Sequence, residues 1–439
     1  MAGLPITHLY MRFFRDLVLT AIVLVAVLLL LEIGLRLVGV KYEASVYTAE
    51  AERGYALRPN ARGWTITENE SYVRINSDGM YDREHTVARP PGVVRIAVIG
   101  SSEAEAQQVS LDKTFEAVIE RQLSAELAKC GCRAEVLNFA VPGYGLAQEY
   151  LTLHDHVWRY QPQIVILATT AYTMLRNTRK LYPGPTHGSP FYIFDHGRLV
   201  PDQETSLSQP PNARGLKWRW RISNWMNSSR VLSMVNEALV NARLMVARVR
   251  AEVNFGKPSK PGSSGAIPAD YISTWPYDPM RPEMRESWVI GNEFFKMMKQ
   301  DCDEHSAEFW IVTIEMEGEV SPKLSDRKAL QERINVSSLL LSDQYIEKLA
   351  HDDDIRVITL APPMGDFALS HQVALHGFFN TAFNDGHWNE TGHEVAGCVI
   401  AQNLLKGSDA LNGRSANRIV TSSMRPPGHD PGLCACGNK

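Results

Sequence analysis

The chain has 439 residues, 44% hydrophobic and 21% charged, with 49 acidic side chains against 45 Lys and Arg for a formal net charge of −4. That length allows one large domain or two ordinary ones, and that composition excludes a disordered chain. The absence of a basic excess argues against nucleic-acid binding, and six cysteines are too few for a disulfide scaffold.

The first predicted element is a membrane-spanning helix. From Leu17 to Leu31 there is no charge, and the apolar character continues past Glu32 and Arg36 to Val40. Leu17 to Val40 is about the length that crosses a bilayer. Glu32 and Arg36 stand four apart, so they can pair on one helix face. Arg12 and Arg15 precede the run and favour a cytoplasmic N-terminus, against the opposing vote of Arg36 and Lys41. No small-x-small cleavage site follows, so the expectation is an uncleaved anchor over residues 1–40, with the rest of the chain extracytoplasmic, periplasmic or at the cell surface.

Residues 41–92 read as an irregular lead-in punctuated by turn signals, with a short strand at Val73-Arg74-Ile75. A βα alternation then begins. Strands are expected at 94–99, 134–139, 163–168, 308–314 and 355–360, each short and almost continuously apolar, as parallel strands covered on both faces should be. Helices are expected over Lys113–Lys129, Gln148–Tyr160, Pro282–His305 and Glu390–Leu405. Five strands with helical crossovers imply an open, doubly wound α/β sheet.

An insertion, about 178–282, separates the third and fourth strands. It holds Trp218, Trp220 and Trp225, a helix expected over 228–252 and a Lys/Pro/Gly/Ser linker. Its length suits a lid or substrate-binding elaboration. The tryptophans suit a small core of its own equally well. Residues 408–439 are polar and Gly/Pro-rich, an expected disordered tail. Cys130/Cys132 and Cys434/Cys436 lack zinc-finger spacing and read as stray or disulfide-linked thiols rather than a metal site.

The candidate chemistry sits in segments far apart in the chain. The first strand runs into Gly100-Ser101-Ser102-Glu103, placing a serine where a buried strand turns into a helix. Beyond the carboxyl ends of parallel strands is where such sheets bind ligands. Before the last helix comes Asn384-Asp385-Gly386-His387-Trp388-Asn389, with an acid and an imidazole two residues apart. A hydroxyl nucleophile needs a base, and the base needs an acceptor that fixes its tautomer; Ser102, His387 and Asp385 supply the three parts. The alternative for Ser101 or Ser102 is a plain helix cap. His393, on the last helix, is expected to pack or cap. The second strand leads into Asn138 to Gly145, again at the active edge.

With these blocks the chain resembles the SGNH/GDSL hydrolases, over about residues 70–180 and 285–405. It is most similar to membrane-anchored bacterial members, and its Asp-x-His-Trp form is similar to that of alginate O-acetyltransferase-type proteins. The resemblance implies a three-layer α/β/α flavodoxin-like fold over residues 93–407 with a five-stranded parallel sheet. It makes Ser102 the nucleophile, His387 the base and Asp385 its orienter, with Ser102 and Gly143 as oxyanion-hole amides. Two positions depart from the family pattern. Ser101 replaces the usual Asp of the first block. The third block, Leu167 to Met174, lacks its usual Asn, leaving Thr173 nearest that place. The implied activity is that of a serine esterase or O-acyltransferase working through an acyl-enzyme, without metal or organic cofactor. An acylated, for instance acetylated, cell-envelope or exported polysaccharide is the implied substrate, with Tyr144 and Trp388 expected to stack on sugar rings. Two other readings stay open: an impaired SGNH-fold protein acting in carbohydrate binding or envelope assembly, and a structural membrane protein that only bridges partners.

Overall fold

The computed structural model describes residues 6–179, 181, 189–202, 217–218, 221–222, 224–226, 229–235, 238–239, 242 and 275–412. These fall into two compact units, residues 1–45 with 221–263 and residues 46–220 with 264–439. The first unit contains α1 (Ile6–Leu37), whose stretch Tyr10–Leu37 is long and apolar enough to cross a membrane. The same length and composition also fit a leader sequence.

The second unit is a three-layer α/β/α structure, as the βα alternation implies. Its five parallel strands are β5 (Val93–Gly100), β6 (Arg133–Asn138), β7 (Ile164–Thr169), β10 (Glu308–Thr313) and β11 (Arg356–Thr359), in the order β11-β10-β7-β5-β6. Counted along the chain this is the 2-1-3-4-5 order of flavodoxin-like sheets, whose switch point lies between the first and third strands, here β5 and β7. All five strands lie within a residue or two of their expected positions.

The apolar runs have a direct cause. Ala97, Ile99, Val165, Leu167 and Ile311 enter one core with Phe294, Phe295 and Met298 of the helix Arg285–Glu304. Their neighbours Ile96, Val98, Ile164, Ile166 and Val312 enter the other. There they meet Phe115, Ile119 and Leu123 of α3 (Phe115–Leu127), and Ala396, Ile400 and Leu404 of the helix Glu390–Gly407. Successive side chains alternate between two buried faces, so every position must be apolar. In β5 Arg95 is the exception, and it is fully buried. Its Nε donates to Glu135 Oε2 at 2.7 Å, and its Nη atoms donate to the carbonyls of Thr86, Val87 and Tyr160. A buried guanidinium is tolerable only with partners of this kind, and these fasten the end of the lead-in beneath the sheet.

The outer edge of β6 is closed by side chains rather than by another strand. Ala134 N donates to Ser124 Oγ, Val136 N to Glu120 Oε2 and Asn138 N to Asp82 Oδ2. Every second amide is satisfied, so this edge offers no template for strand addition.

Several elements carry too weak a periodicity to be expected from sequence. The lead-in forms two antiparallel hairpins, β1 (Tyr47–Glu50) with β2 (Gly54–Leu57), and β3 (Arg62–Thr65) with β4 (Ser71–Arg74); of these only β4 meets an expectation, overlapping the strand read at 73–75. The insertion contributes the hairpin β8 (Tyr192–Asp195) and β9 (Arg198–Pro201). Trp218 and Trp225 are 64% and 67% exposed, which corrects the reading of the insertion tryptophans as a small core; Trp220 lies outside the described residues, as does most of the helix expected over 228–252. At the C-terminal side Ala410 and Leu411 are buried against the sheet, so order extends past 408, while 413–439 lie outside the described residues.

Candidate active site

At the carboxyl ends of β5, β7 and β10 lies a cavity of about 200 Å³, lined by Ser101, Ser102, Glu103, Thr170, Tyr172, Thr173, Arg176, Glu315, Met316, Glu317 and His387. It opens at the switch point, where this sheet order predicts a ligand site. Ser102 begins α2 (Ser102–Glu105), immediately after β5, and Ser101 makes no side-chain cap bond. Among the described residues no hydrogen bond occupies the Ser102 hydroxyl either, so the cap reading does not account for this pair.

His387 is brought to the same cavity by a cross-braced loop. His376 and Trp388 form an antiparallel bridge, and Gly377 N donates to His387 O at 3.0 Å. Glu315, just past β10, anchors the loop: Oε1 accepts from Trp388 Nε1 at 2.6 Å and lies 3.1 Å from His376 Nε2. Asn389 ends the loop by accepting from the amides of Thr391 and Gly392, which starts the last helix. His393 is buried on that helix against Phe115 and Trp388, a packing residue, and burial holds its imidazole down to about 3.

The acid beside His387 is Glu68. Its Oε2 lies 2.8 Å from His387 Nδ1 and accepts the His387 backbone N–H at 2.9 Å. Glu68 sits at the tip of the β3–β4 hairpin, outside the sheet. That tip is clamped on both sides: Asn69 N donates to Asn380 Oδ1, Asn380 Nδ2 donates to Ile66 O, and Asn69 Nδ2 donates to Gln108 O. The expectation for Asp385 is therefore corrected. Asp385 is exposed, between Asn384 and Gly386, both at positive φ, and makes no bond to the imidazole. Gly386 packs against the same carboxylate. A Cβ there would lie 2.8 Å from Glu68 Oε2, so a larger residue would push the Glu68 side chain aside.

On the other side of the ring, His387 Nε2 lies 3.7 Å from Glu103 Oε2. No hydrogen bond joins His387 to Ser102 among the described residues. Burial alone would lower the His387 imidazole, but the negative charge of Glu103 and the bond to Glu68 push it up to about 9. Glu68 is raised by burial and lowered more by the bonds and charge of His387, so it stays below the usual carboxylate range. Burial raises Glu103, against the opposing pull of His387 and His376.

The expected oxyanion donors are divided by the structure. Thr173 lines the cavity, with Oγ1 3.5 Å from Thr170 Oγ1. Gly143 is not in that lining; its φ is +82° and the Tyr55 hydroxyl packs where a Cβ would be. Asn177 donates to Ser287 O, away from the cavity. The lining instead includes Arg176, whose Nη1 donates to Tyr144 O at 3.1 Å. A Cβ on Gly145 would lie 2.9 Å from the Arg176 Cβ, so the second-block glycines make space for this side chain. The roles given to Tyr144 and Trp388 are also corrected. Both are fully buried, Tyr144 donating to Tyr55 O and Trp388 to Glu315, so neither ring is open to a sugar. Tyr172 is the aromatic ring in the lining.

No protein-family model matches the sequence, and no curated protein matches it. Among solved structures, the chain is similar to an acetyl xylan esterase at 11% identity and TM-score 0.33, covering 71% of this chain and all of that one. An acetylxylan esterase from Geobacillus stearothermophilus shares 8% identity at TM-score 0.35, with 71% and 94% covered. A lipolytic protein of the G-D-S-L family from Desulfitobacterium hafniense shares 8% at TM-score 0.29, with 70% and 98% covered. Likenesses this weak carry no argument about chemistry, which rests on the cavity and the imidazole described above.

Proposed function

We propose that the chain is a membrane-anchored, extracytoplasmic serine hydrolase of SGNH type that cleaves or transfers a short acyl ester, with Ser102 as nucleophile, His387 as base and Glu68 as the acid that orients it. The single observation that carries this reading is that Ser102 and His387 line one cavity at the sheet's switch point while the imidazole Nδ1 is held by a carboxylate at 2.8 Å. That bond fixes the tautomer with Nε2 free to take a proton. In the forward step Ser102 Oγ attacks the acyl carbonyl and its proton passes to His387 Nε2. The oxyanion is met by the Ser102 amide, Thr173 Oγ1 and the Arg176 guanidinium, a charged donor in place of the missing Asn. Collapse expels the alcohol, protonated by His387. Water then gives hydrolysis, and a second hydroxyl gives acyl transfer.

An acetylated envelope or exported polysaccharide remains the proposed substrate. A cavity of about 200 Å³ suits a short acyl group, and an apolar helix long enough to cross a membrane suits an envelope-associated chain. Cys130 and Cys132 are disulfide-bonded, a state that persists in oxidising compartments and supports the extracytoplasmic placement.

A second reading, an impaired SGNH-fold protein that binds carbohydrate, is favoured by one observation: among the described residues His387 Nε2 makes no hydrogen bond to Ser102, while Glu103 Oε2 lies 3.7 Å from it. A fluorophosphonate probe separates the two. Labelling of the wild type above pH 9, abolished in Ser102→Ala and in His387→Ala, is the expected result. An unlabelled wild type at that pH sinks the hydrolase and leaves the binding protein.

A further inference from the structure

Glu32 belongs to the apolar helix and is an expensive residue there. About 20 residues span the hydrocarbon, so a span starting at Leu17 reaches the far boundary near Leu37, with Glu32 about one turn inside it. A carboxylate at that depth needs partners. One comes from its own helix: Arg36 Nε at 2.7 Å. The others come from the insertion, almost two hundred residues away. Ser229 Oγ donates to Oε2 at 2.9 Å, Arg230 N to Oε1 at 3.2 Å and Val231 N to Oε2 at 3.1 Å.

Arg230 and Val231 open a helical stretch, Arg230–Val235, so Glu32 caps it from another helix. Three more links tie the same unit together. Arg230 Nη1 donates to Leu35 O at 2.9 Å, the Arg230 guanidinium lies over the Tyr42 ring, and Ser45 Oγ donates to Asn224 Oδ1 at 2.6 Å. The insertion segment is thereby fixed to the end of the apolar helix by polar bonds, while several of its described residues present apolar side chains outward. Ile222, Trp225, Met234, Val235 and Leu239 are all about half exposed or more, beside exposed Arg221. Such a surface is costly in water. Rings with one polar edge, aliphatic side chains and an arginine are what the headgroup level of a bilayer accepts.

We infer that the described residues between Arg221 and Leu239 form an interfacial element lying in the headgroup–acyl boundary of the bilayer that the apolar helix enters, held at that depth by Glu32. Its occupant is lipid. The segment is bonded to α1 at Glu32 and Leu35, near the end of the apolar helix, and Arg221 suits the phosphate layer. The inference rests on insertion of α1 and not on the acyl chemistry, so either can fail alone.

The test uses the full chain in nanodiscs of phosphatidylcholine and phosphatidylglycerol, with and without lipids brominated on the upper acyl chain. Bromine quenches tryptophan emission on contact, and the chain has nine tryptophans. The quenched share of emission is expected to fall by about one part in nine in Trp225→Phe, a substitution at an exposed site that leaves the fold intact. Glu32→Leu keeps α1 apolar but removes the cap; the same share of quenching should be lost, and tryptic cleavage after Arg221 and Arg230 should rise several-fold. Quenching unchanged in Trp225→Phe would place that ring in water or against protein and overturn the inference. So would Glu32→Leu behaving as wild type in both readouts.

Discussion

Ser102 and Glu68 arrive at the same imidazole by different physical routes. Ser102 stands at the end of β5, a strand buried on both faces, so its position is set by sheet packing. Glu68 stands at the tip of a two-stranded hairpin outside the sheet, held by side-chain bonds through Asn69 and Asn380. Isolated hairpins are marginal, and each such bond contributes on the order of 1 kcal/mol. The proposed nucleophile is therefore fixed by the fold, whereas the proposed acid is fixed by a few polar contacts that can change without unfolding the sheet.

The sharpest way to break this comparison is to remove the acids one at a time. Glu68→Gln keeps the shape but withdraws the charge from Nδ1, and kcat should fall by about 10²- to 10⁴-fold, as expected when a base loses its orienting carboxylate. Asp385→Asn, at an exposed site with no bond to the imidazole, should change kcat less than about twofold. Steady-state kinetics on an acetyl ester would check both. If Asp385→Asn proved the more damaging, the assignment of Glu68 would be wrong and the adjacency of Asp385 and His387 would have been the true signal.

A smaller effect is expected on the opposite wall of the cavity. Arg176→Ala should lower kcat by about 10²-fold with KM little changed if the guanidinium meets charge only in the transition state. Arg176→Lys should recover part of the loss, because a positive charge returns without the forked donors. A rise in KM alone would make Arg176 a ground-state contact for an anionic substrate instead.

The sheet was legible because burial on both faces writes uninterrupted apolar runs, and the place of Ser102 because such a strand must end at the ligand-binding edge. Glu68 was not legible. It lies 319 residues from His387, in a polar hairpin tip whose four-residue strands leave almost no period to read. Asp385 misled through closeness in sequence, since positive φ at Asn384 and Gly386 marks a tight turn and the Asp385 side chain is exposed. Tyr144 and Trp388 misled in a different way. An aromatic beside a catalytic motif looks like a substrate contact, but here each ring is buried and its polar edge is spent on bracing a loop. Arg176 left a faint trace, the glycines at 143 and 145 that surround its side chain.

The Glu103 side of the ring gives the finest prediction, one of pH rather than rate. An imidazole raised to about 9 is protonated at neutral pH and cannot accept the Ser102 proton. Raising the pH through that value frees Nε2, so kcat/KM should climb from pH 7 and level off above about 9. Glu103→Gln removes the carboxylate 3.7 Å from Nε2 and should move the midpoint of this limb down toward the ordinary histidine value, with the alkaline plateau changed only a few-fold. Glu68 still holds Nδ1 in that variant, so the midpoint should stop short of an unperturbed imidazole. A midpoint that does not move would show that Glu103 carries its proton throughout, as its burial favours, and that the rise in His387 comes from the hairpin tip alone.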